Sequence, residues 1–339
     1  MNHPHYSLEL TVALQAVRIA CIIARQAREE FNEEEDVTIK PDRSPVTVAD
    51  YAVQAWINAA LNAHFPSDPI MGEEDNYIPY YFQTEPFTER IIALVQAQRA
   101  DFDETGILKA VGLATSTGGR AGRFWCLDPI DGTRGFIRGG QYAIALALIE
   151  DGDVKLGLLG CPNLPLNAND PDSEMGVIFT AVKGQGAFAS NLSGTVSMPI
   201  SVDSITDMKS AILGTPVEMG RVPREILNRF AHSSRIKAEP YRIDSQCKYA
   251  VLARGEISLY VRLPSTKKEH RGYIWDHSAG VLIVQEAGGI VTDLAGRALD
   301  FSQGQLLQSN RGILAVNPHL YAQVLENVHR YIPAELLEL

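Results

Sequence analysis

Apolar residues recur at Leu10, Leu14, Val17, Ala20, Cys21 and Ala24 with a spacing of about 3.6, which predicts an amphipathic helix from Leu8 to Glu30. Asp50 to His64 repeats the pattern through Tyr51, Ala55, Trp56, Ala59 and Ala60, and Pro66 marks its exit. Met71 to Asn76 reads as a turn dense in carboxylates. Gly106 to Arg123 is rich in Gly, Ser, Thr and Ala with little period, which predicts a mobile connection or flap. Strand patterns follow. Phe124 to Leu127, Tyr142 to Glu150 and Val154 to Cys161 are β-branched, aromatic or continuously apolar, and Asp151-Gly152 between the last two signals a hairpin. Gly176 to Thr180 and Gly186 to Ala189 read as shorter strands around Lys183-Gly184.

The polar, Pro- and Asn-containing stretches Asn163 to Ser173 and Asn191 to Pro199 suggest a subdomain boundary within 163–200. Beyond it, Ala211 to Thr215, Ile257 to Arg262, Ile290 to Thr292 and Ile313 to Val316 predict short strands. Helical patterns at Arg224 to Phe230, Lys248 to Ala253 and Asp276 to Ala287 separate them. Such alternation implies an α/β unit with a partly parallel sheet. The expected division is residues 1–190 and residues 191–339.

Composition narrows the function. The chain has 339 residues, 45% hydrophobic and 21% charged, enough for one large domain or two modest ones. Its formal net charge of −11 disfavours attraction to nucleic acid or an anionic membrane. A polyanionic substrate must then be met by bound metal or by a few placed Lys and Arg. Cys21, Cys126, Cys161 and Cys247 show no C-x-x-C spacing, so neither a zinc site nor a disulfide framework is expected. The segment Met1 to Leu10 has no signal-peptide core, and the longest apolar stretch, Tyr142 to Ile149, is too short for a membrane span. A cytoplasmic protein is expected, and the sequon at Asn191-Leu192-Ser193 is expected to be chance.

Four acidic features carry candidate chemistry: Asp50 after Ser44-Pro45-Val46-Thr47-Val48-Ala49, Glu73-Glu74-Asp75, Asp128-Pro129-Ile130-Asp131-Gly132-Thr133, and Trp275-Asp276-His277. Taken singly they have ordinary explanations, with Asp50 and Asp276 as helix caps and Glu73 to Asp75 as a solvated turn. The hexapeptide differs because it follows an apolar strand and Pro129 and Gly132 force a tight reversal. Its carboxylates then converge, with the Ile130 carbonyl between them, as oxygen ligands for magnesium at about 2.0–2.1 Å. Backbone N–H groups at Gly132 and Thr133 suit phosphate oxygens. An aspartyl-nucleophile motif needs Asp-x-Asp, which this is not, and no run of oxygen ligands ending in Glu follows to make a calcium loop.

Together, Glu73, Asp128-Pro129-Ile130-Asp131-Gly132-Thr133 and Trp275-Asp276-His277-Ser278-Ala279-Gly280 leading into Glu286-Ala287-Gly288-Gly289 resemble the signature set of the inositol monophosphatase superfamily. The resemblance runs from about Leu8 to Asn317. Within that superfamily the chain is similar to the lithium-sensitive 3′(2′),5′-bisphosphate nucleotidases of sulfur assimilation. Ser44 to Thr47, Gly119 to Asp131, Leu156 to Asn163, Asp244 to Tyr249 and Tyr260 to Pro264 carry that likeness.

The resemblance implies an α/β layered sandwich, αβαβα, with two subdomains: helices on a largely antiparallel sheet, then a mixed α/β unit, with the site in the cleft between. It implies that Glu73, Asp128, the Ile130 carbonyl, Asp131 and Asp276 bind two or three magnesium ions. Asp50, Thr133 and Glu73 would then be catalytic, with Asp50 and the Thr133 hydroxyl orienting and deprotonating the water. Gly132, Thr133, Ser245, Lys248, Arg262 and Asp276 would bind substrate. The family's histidine after a Val-Glu-x-Gly stretch is replaced, since Val217-Glu218-Met219-Gly220 leads into Arg221, and Arg221 or His232 would take its place. His277 is expected to pack or hydrogen-bond, and Trp125 and Trp275 to fix the turns. The implied activity is release of the 3′-phosphate from adenosine 3′,5′-bisphosphate, and from its 5′-sulfated precursor, by a monomer. Alternatives are an inositol (poly)phosphate 1-phosphatase or other sugar phosphatase, and an inactive nucleotide- or metal-binding relative.

Overall fold

Ser7–Glu29 forms the first helix, α1, in a computed structural model that describes residues 5–74, 85–264 and 271–337. Next come the one-turn helix α2 (Glu33–Asp36), the strand pair β1 (Val37–Ile39) and β2 (Pro45–Thr47), helix α3 (Val48–His64) and strand β3 (Ile70–Gly72). Helices α4 (Glu85–Gln96) and α5 (Glu104–Val111) lead to strand β4 (Arg123–Asp131) and the short helix α6 (Thr133–Ile137). Strands β5 (Ala143–Glu150), β6 (Asp153–Pro165), β7 (Met175–Val182), β8 (Ala187–Asn191) and β9 (Ser197–Ile200) then meander in sequence order. The sheet β3-β4-β5-β6-β7-β8-β9 is antiparallel except for the β3–β4 pair.

After 201–212 come β10 (Leu213–Thr215), α7 (Arg221–Ser233), β11 (Tyr241–Arg242), α8 (Cys247–Ala253), β12 (Leu259–Arg262), α9 (Ser278–Glu286), β13 (Ile290–Thr292), β14 (Ile313–Val316) and α10 (Tyr321–Tyr331). The second sheet has the order β11-β10-β12-β14-β13, parallel through β11-β10-β12 and antiparallel through β12-β14-β13.

Strand periodicity explains the layers. Along β4 and β5, Trp125, Leu127, Ile144, Leu146 and Leu148 face one apolar core with α1, α3, α4 and α5. The alternate residues Phe124, Cys126, Ala143, Ala145 and Ala147 face a second core with α8 and α9. Both faces are buried, so these strands read as unbroken apolar runs. Small residues fill the second face because α9 lies close: a Cβ on Gly157 would stand 2.8 Å from Ala279 O. On the far side of the second sheet, Leu213, Leu259, Val261 and Leu314 pack on α7 and α10 through Leu227, Phe230, Val324 and Val328. The order is helix, sheet, helix, sheet, helix, the αβαβα layering that the resemblance implies. At the β5–β6 hairpin, Asp151 and Gly152 both hold positive φ (52° and 79°), as a two-residue I′ turn requires.

Residues 106–111 depart from expectation. They belong to α5, which Asp103 caps by accepting from Gly106 N–H at 2.6 Å and which buries Ile107, Ala110 and Val111. An eight-residue helix with three buried positions is too short to show a clear period. The long, apolar α1 meets the length and composition of a membrane span. Its apolar stripe, from Val12 to Ala27, is buried against α3 and β6.

Candidate active site

β4 delivers Asp128 and Asp131 to the upper rim of the first sheet. The pairing with β5 is in register up to Asp128 and shifts before Asp131, so the strand turns outward over Pro129 instead of continuing the ladder. Asp128 is buried, and its Oδ1 has no hydrogen-bond partner among the described residues. Asp131 accepts a bond from the Gln246 backbone N–H. Gly132, at φ 90°, ends the turn beneath Ser245, where an added Cβ would sit 2.9 Å from the serine Cβ. Thr133 Oγ1 donates to the Ile130 carbonyl at 3.3 Å.

Asp50 comes from the first turn of α3. Thr47, not Asp50, is the N-cap: its hydroxyl accepts from Ala49 N–H, while Asp50 Oδ2 accepts from Thr47 N–H (2.8 Å) and Thr47 Oγ1 (2.6 Å) in a capping box. The box uses one carboxylate oxygen and leaves Oδ1 buried and unpartnered, which a cap alone does not explain. Asp50 and Thr133, the pair expected to orient the water, each have another partner here: Thr47 is the hydroxyl partner of Asp50, and the Ile130 carbonyl is that of Thr133. Glu73 N–H donates to Leu127 O at 3.0 Å, extending the β3–β4 pairing and setting Glu73 beside the Asp128 turn. Lys40 Nζ reaches Glu73 at 3.1 Å and Glu74 at 2.6 Å. Asp75 and Asn76 lie outside the described residues.

The second half supplies the opposite wall. Gln246 links three segments: its N–H holds Asp131, its side-chain amide donates to Trp275 O at 2.8 Å, and its Oε1 accepts from Gly280 N–H at 3.1 Å. Arg262 donates to Asp276 Oδ2 at 3.2 Å and to His277 Nε2 at 3.1 Å. A guanidinium only donates, so His277 Nε2 is an acceptor, and Nδ1 carries the proton given to Tyr249 Oη at 2.8 Å. His277 is therefore a buried structural imidazole. Lys248 Nζ contacts Ile243 O at 3.4 Å and lies over the Tyr260 ring.

A cavity of about 320 Å³ opens here, lined by Asp131, Gly132, Ser245, Lys248, Arg262 and Asp276, and also by Arg134, Arg138, Glu218 and Asp244. Arg221 is not among its walls. It stands exposed at the start of α7, paired with Glu225 at 2.8 Å, and His232, at the far end of that helix, does not line the cavity either. Arg138 covers this rim instead, bridging Glu218 (2.6 Å) and Asp244 (2.5 Å). Sequence reading missed Arg138, Lys40 and Gln246, whose roles depend on contacts with residues distant in the chain.

The carboxylates influence one another strongly. Burial, then Glu73, Asp131 and Asp276, push the Asp128 carboxyl well above its ordinary range. Asp131 is raised to about 7 by burial and Asp276, against the pull of Lys248. Burial also raises Asp50 to about 7 in spite of Lys40 and Thr47, and burial with Glu73 raises Glu74. Burial alone would lower Lys40, but Glu74, Glu73 and Asp50 raise it. Burial lowers Lys248. Four acids sharing a buried site with two orphaned oxygens, Asp50 Oδ1 and Asp128 Oδ1, call for a cation. The donors are all oxygen, which fits a hard divalent ion. Among the described residues no three His, Cys, Asp or Glu side chains converge closely enough to chelate an ion as they stand, and Lys40 supplies the positive charge beside Glu73 and Glu74.

Comparison with known proteins identifies the family and the fold. The inositol monophosphatase family model matches residues 5–332. A 3′(2′),5′-bisphosphate nucleotidase of Oryza sativa is 40% identical over 342 residues, covering 95% of this chain and 94% of that protein. One from Schizosaccharomyces pombe is 37% identical and covers 95% of each. Among solved structures, the Thermotoga maritima IMPase superposes with a TM-score of 0.65 at 21% identity, covering 96% of this chain and 99% of that one. An inositol monophosphatase from Anabaena gives 0.63 at 20%, covering 97% and 98%. The chain belongs to the inositol monophosphatase family, whose members are metal-dependent phosphatases.

Proposed function

We propose that the chain is a magnesium-dependent phosphomonoesterase that hydrolyses the 3′-phosphate of adenosine 3′,5′-bisphosphate, and of its 5′-sulfated precursor, to leave the 5′-nucleotide and inorganic phosphate. The observation that carries the reading is the juxtaposition of a buried carboxylate cluster, which reaches the cleft through Asp131 and Asp276, with the cationic side chains Lys248 and Arg262 that line the same cleft. The acids suit the metal-held reacting phosphate. The cations suit a second phosphate on the same small molecule, which a monophosphate ester of a plain polyol lacks. Near-full-length similarity to proteins named for this activity supports the same substrate.

Glu73, Asp128, the Ile130 carbonyl, Asp131 and Asp276 would hold two or three magnesium ions. Bound there, magnesium lowers the pKa of water and stabilises charge on the transferred phosphoryl group and the leaving oxygen. Asp50 Oδ1, buried and without another partner, takes the proton of the attacking water, which the Thr133 hydroxyl and Glu73 help orient. The phosphorus–O3′ bond breaks as the new oxygen–phosphorus bond forms, and the departing O3′ collects a proton from solvent. Lys248 and Arg262 bind the remaining phosphate, Ser245 and Gly132 shape the floor, and Arg138 closes the rim over Glu218 and Asp244. Four free, buried cysteines support a cytoplasmic, reducing setting.

The test is phosphate release from adenosine 3′,5′-bisphosphate and from inositol 1-phosphate, with magnesium and with chelator. Higher turnover of the nucleotide, abolished by chelation, is expected. Preference for the inositol ester overturns the substrate, and no magnesium-dependent release from either overturns the activity.

A further inference from the structure

Arg311 precedes β14 and is buried, with 4% of its surface exposed. Its Nε has no hydrogen-bond partner among the described residues. Leu294 N–H donates to Arg311 O at 3.1 Å, which brings the 293–297 turn alongside. The carboxylate of that turn is already engaged, since Asp293 Oδ2 accepts from Arg297 Nη2 at 2.7 Å and Asn310 Nδ2 at 3.2 Å. A buried guanidinium without a counter-charge among the described residues is unfavourable, and the kind of ligand that would complete it is an anion.

Arg311 lines a second, smaller cavity of about 50 Å³, with Arg262, Arg271, Asn310, Gly272 and His277 among its other walls. Three of its walls are guanidinium side chains, Arg262 among them already paired with Asp276, and none of the described residues lining it is Asp or Glu. Gly272 keeps it open on one side, for a Cβ there would stand 3.1 Å from His277 Nε2. The space is far below the 320 Å³ of the cleft, so it excludes a nucleotide, while arginine forks match the paired oxygens of a tetrahedral oxoanion. We propose that this cavity binds a small tetrahedral oxoanion of sulfate or phosphate type, held by Arg311 behind Arg262. Arg262 also lines the main cleft, so the anion and the nucleotide draw on one guanidinium from opposite sides. Each therefore weakens binding of the other by the same factor.

The inference does not depend on the catalytic reading, and its first test uses metal-free protein and sodium sulfate, with sodium chloride at equal ionic strength as the reference. Thermal melts are recorded for the wild type, Arg311→Met and Lys248→Met. Sulfate is expected to raise Tm above the chloride value in the wild type by mass action, to keep that effect in Lys248→Met, and to lose it in Arg311→Met. An undiminished sulfate response in Arg311→Met overturns the site, and loss of the response in Lys248→Met alone moves the anion to the main cleft and overturns it equally. If Arg311→Met does not fold, Arg311→Lys keeps the charge but not the fork, and an undiminished response there is again contrary. The coupling is read by calorimetry with AMP: saturating sulfate is expected to raise Kd about fivefold or more in the wild type and not in Arg311→Met. A Kd unaffected by sulfate in the wild type removes the coupling through Arg262.

Discussion

Asp131 is both a candidate metal ligand and a structural acceptor, since the Gln246 backbone N–H points at its Oδ2. Asn at this position keeps an oxygen for that N–H and removes only the charge. Asp131→Asn is therefore expected to fold with a metal-free melting point at pH 8 at least equal to the wild type, while turnover falls by roughly a thousandfold or more, as charge stabilisation worth several kcal/mol is lost. Phosphate release beside a thermal melt checks both halves, and near-normal turnover would remove Asp131 from the metal set. Gln246 separates in the opposite sense. Gln246→Leu leaves Trp275 O and Gly280 N–H unpaired in a buried place, each costing about 1–3 kcal/mol. Urea unfolding should therefore show a clear loss of stability, and a midpoint unchanged within error would mean that other groups satisfy those two atoms.

Helix α3 shows how an ordinary element becomes part of the site. Its capping box is a common helix start, and the same hydroxyl that caps it fixes the Asp50 carboxylate with Oδ1 free. Thr47→Ala should cost about 1 kcal/mol as a lost cap and lower kcat by a larger factor than KM, because Asp50 loses its anchor while the nucleotide wall is untouched. Thr47→Ser restores both, and equal effects on kcat and KM in steady-state kinetics would deny Asp50 its placement through the cap. At this scale the sequence was most readable. The long helices α1 and α3 have enough turns to show their period, and β5 and β6 are buried on both faces, so they appear as apolar runs with a turn pair between them. Helix α5 was not readable, since Gly106 and only three buried positions mask the pattern. The acidic hexapeptide was legible because all its parts are local. Lys40, Arg138 and Gln246 were not, because their meaning lies in Glu73 and Glu74, in Glu218 and Asp244, and in Asp131, Trp275 and Gly280. Arg221 follows the right neighbours, but α7 begins there and directs it toward Glu225 and solvent.

Across the whole molecule, the two sheets meet at a concentration of like charge. Asp128 and Asp131 arrive from the first sheet and Asp276 from the second half, and burial raises the carboxyls of Asp128 and Asp131. The consequence is a stability that depends on pH in an unusual direction. For Asp50 and Asp131, both raised to about 7, the native state binds protons more tightly than the unfolded chain, whose Asp groups titrate near 3.9. Stability is then greatest with these groups protonated and falls as pH rises from about 4 to about 7, where the native carboxyls ionise. The lowered carboxyls of Asp42, Asp153 and Asp300 act the other way below about pH 4, and His277, lowered by burial and by Arg262 and Lys248, acts the other way up to about pH 6.5, one group against the raised Asp50, Glu74, Asp128 and Asp131. Calorimetry in chelator between pH 5 and 8 should therefore show Tm falling as pH increases. On the proposed reading magnesium binds the ionised cluster and offsets the penalty, so its stabilising effect should grow across the same interval as protons cease to compete. Asp131→Asn should flatten the chelator slope because one of the contributing groups no longer titrates. A wild-type Tm that stays level or rises from pH 5 to 8 without metal would mean that the acids are not held in one buried field, and the cation-binding centre that joins the two halves would lose its physical basis.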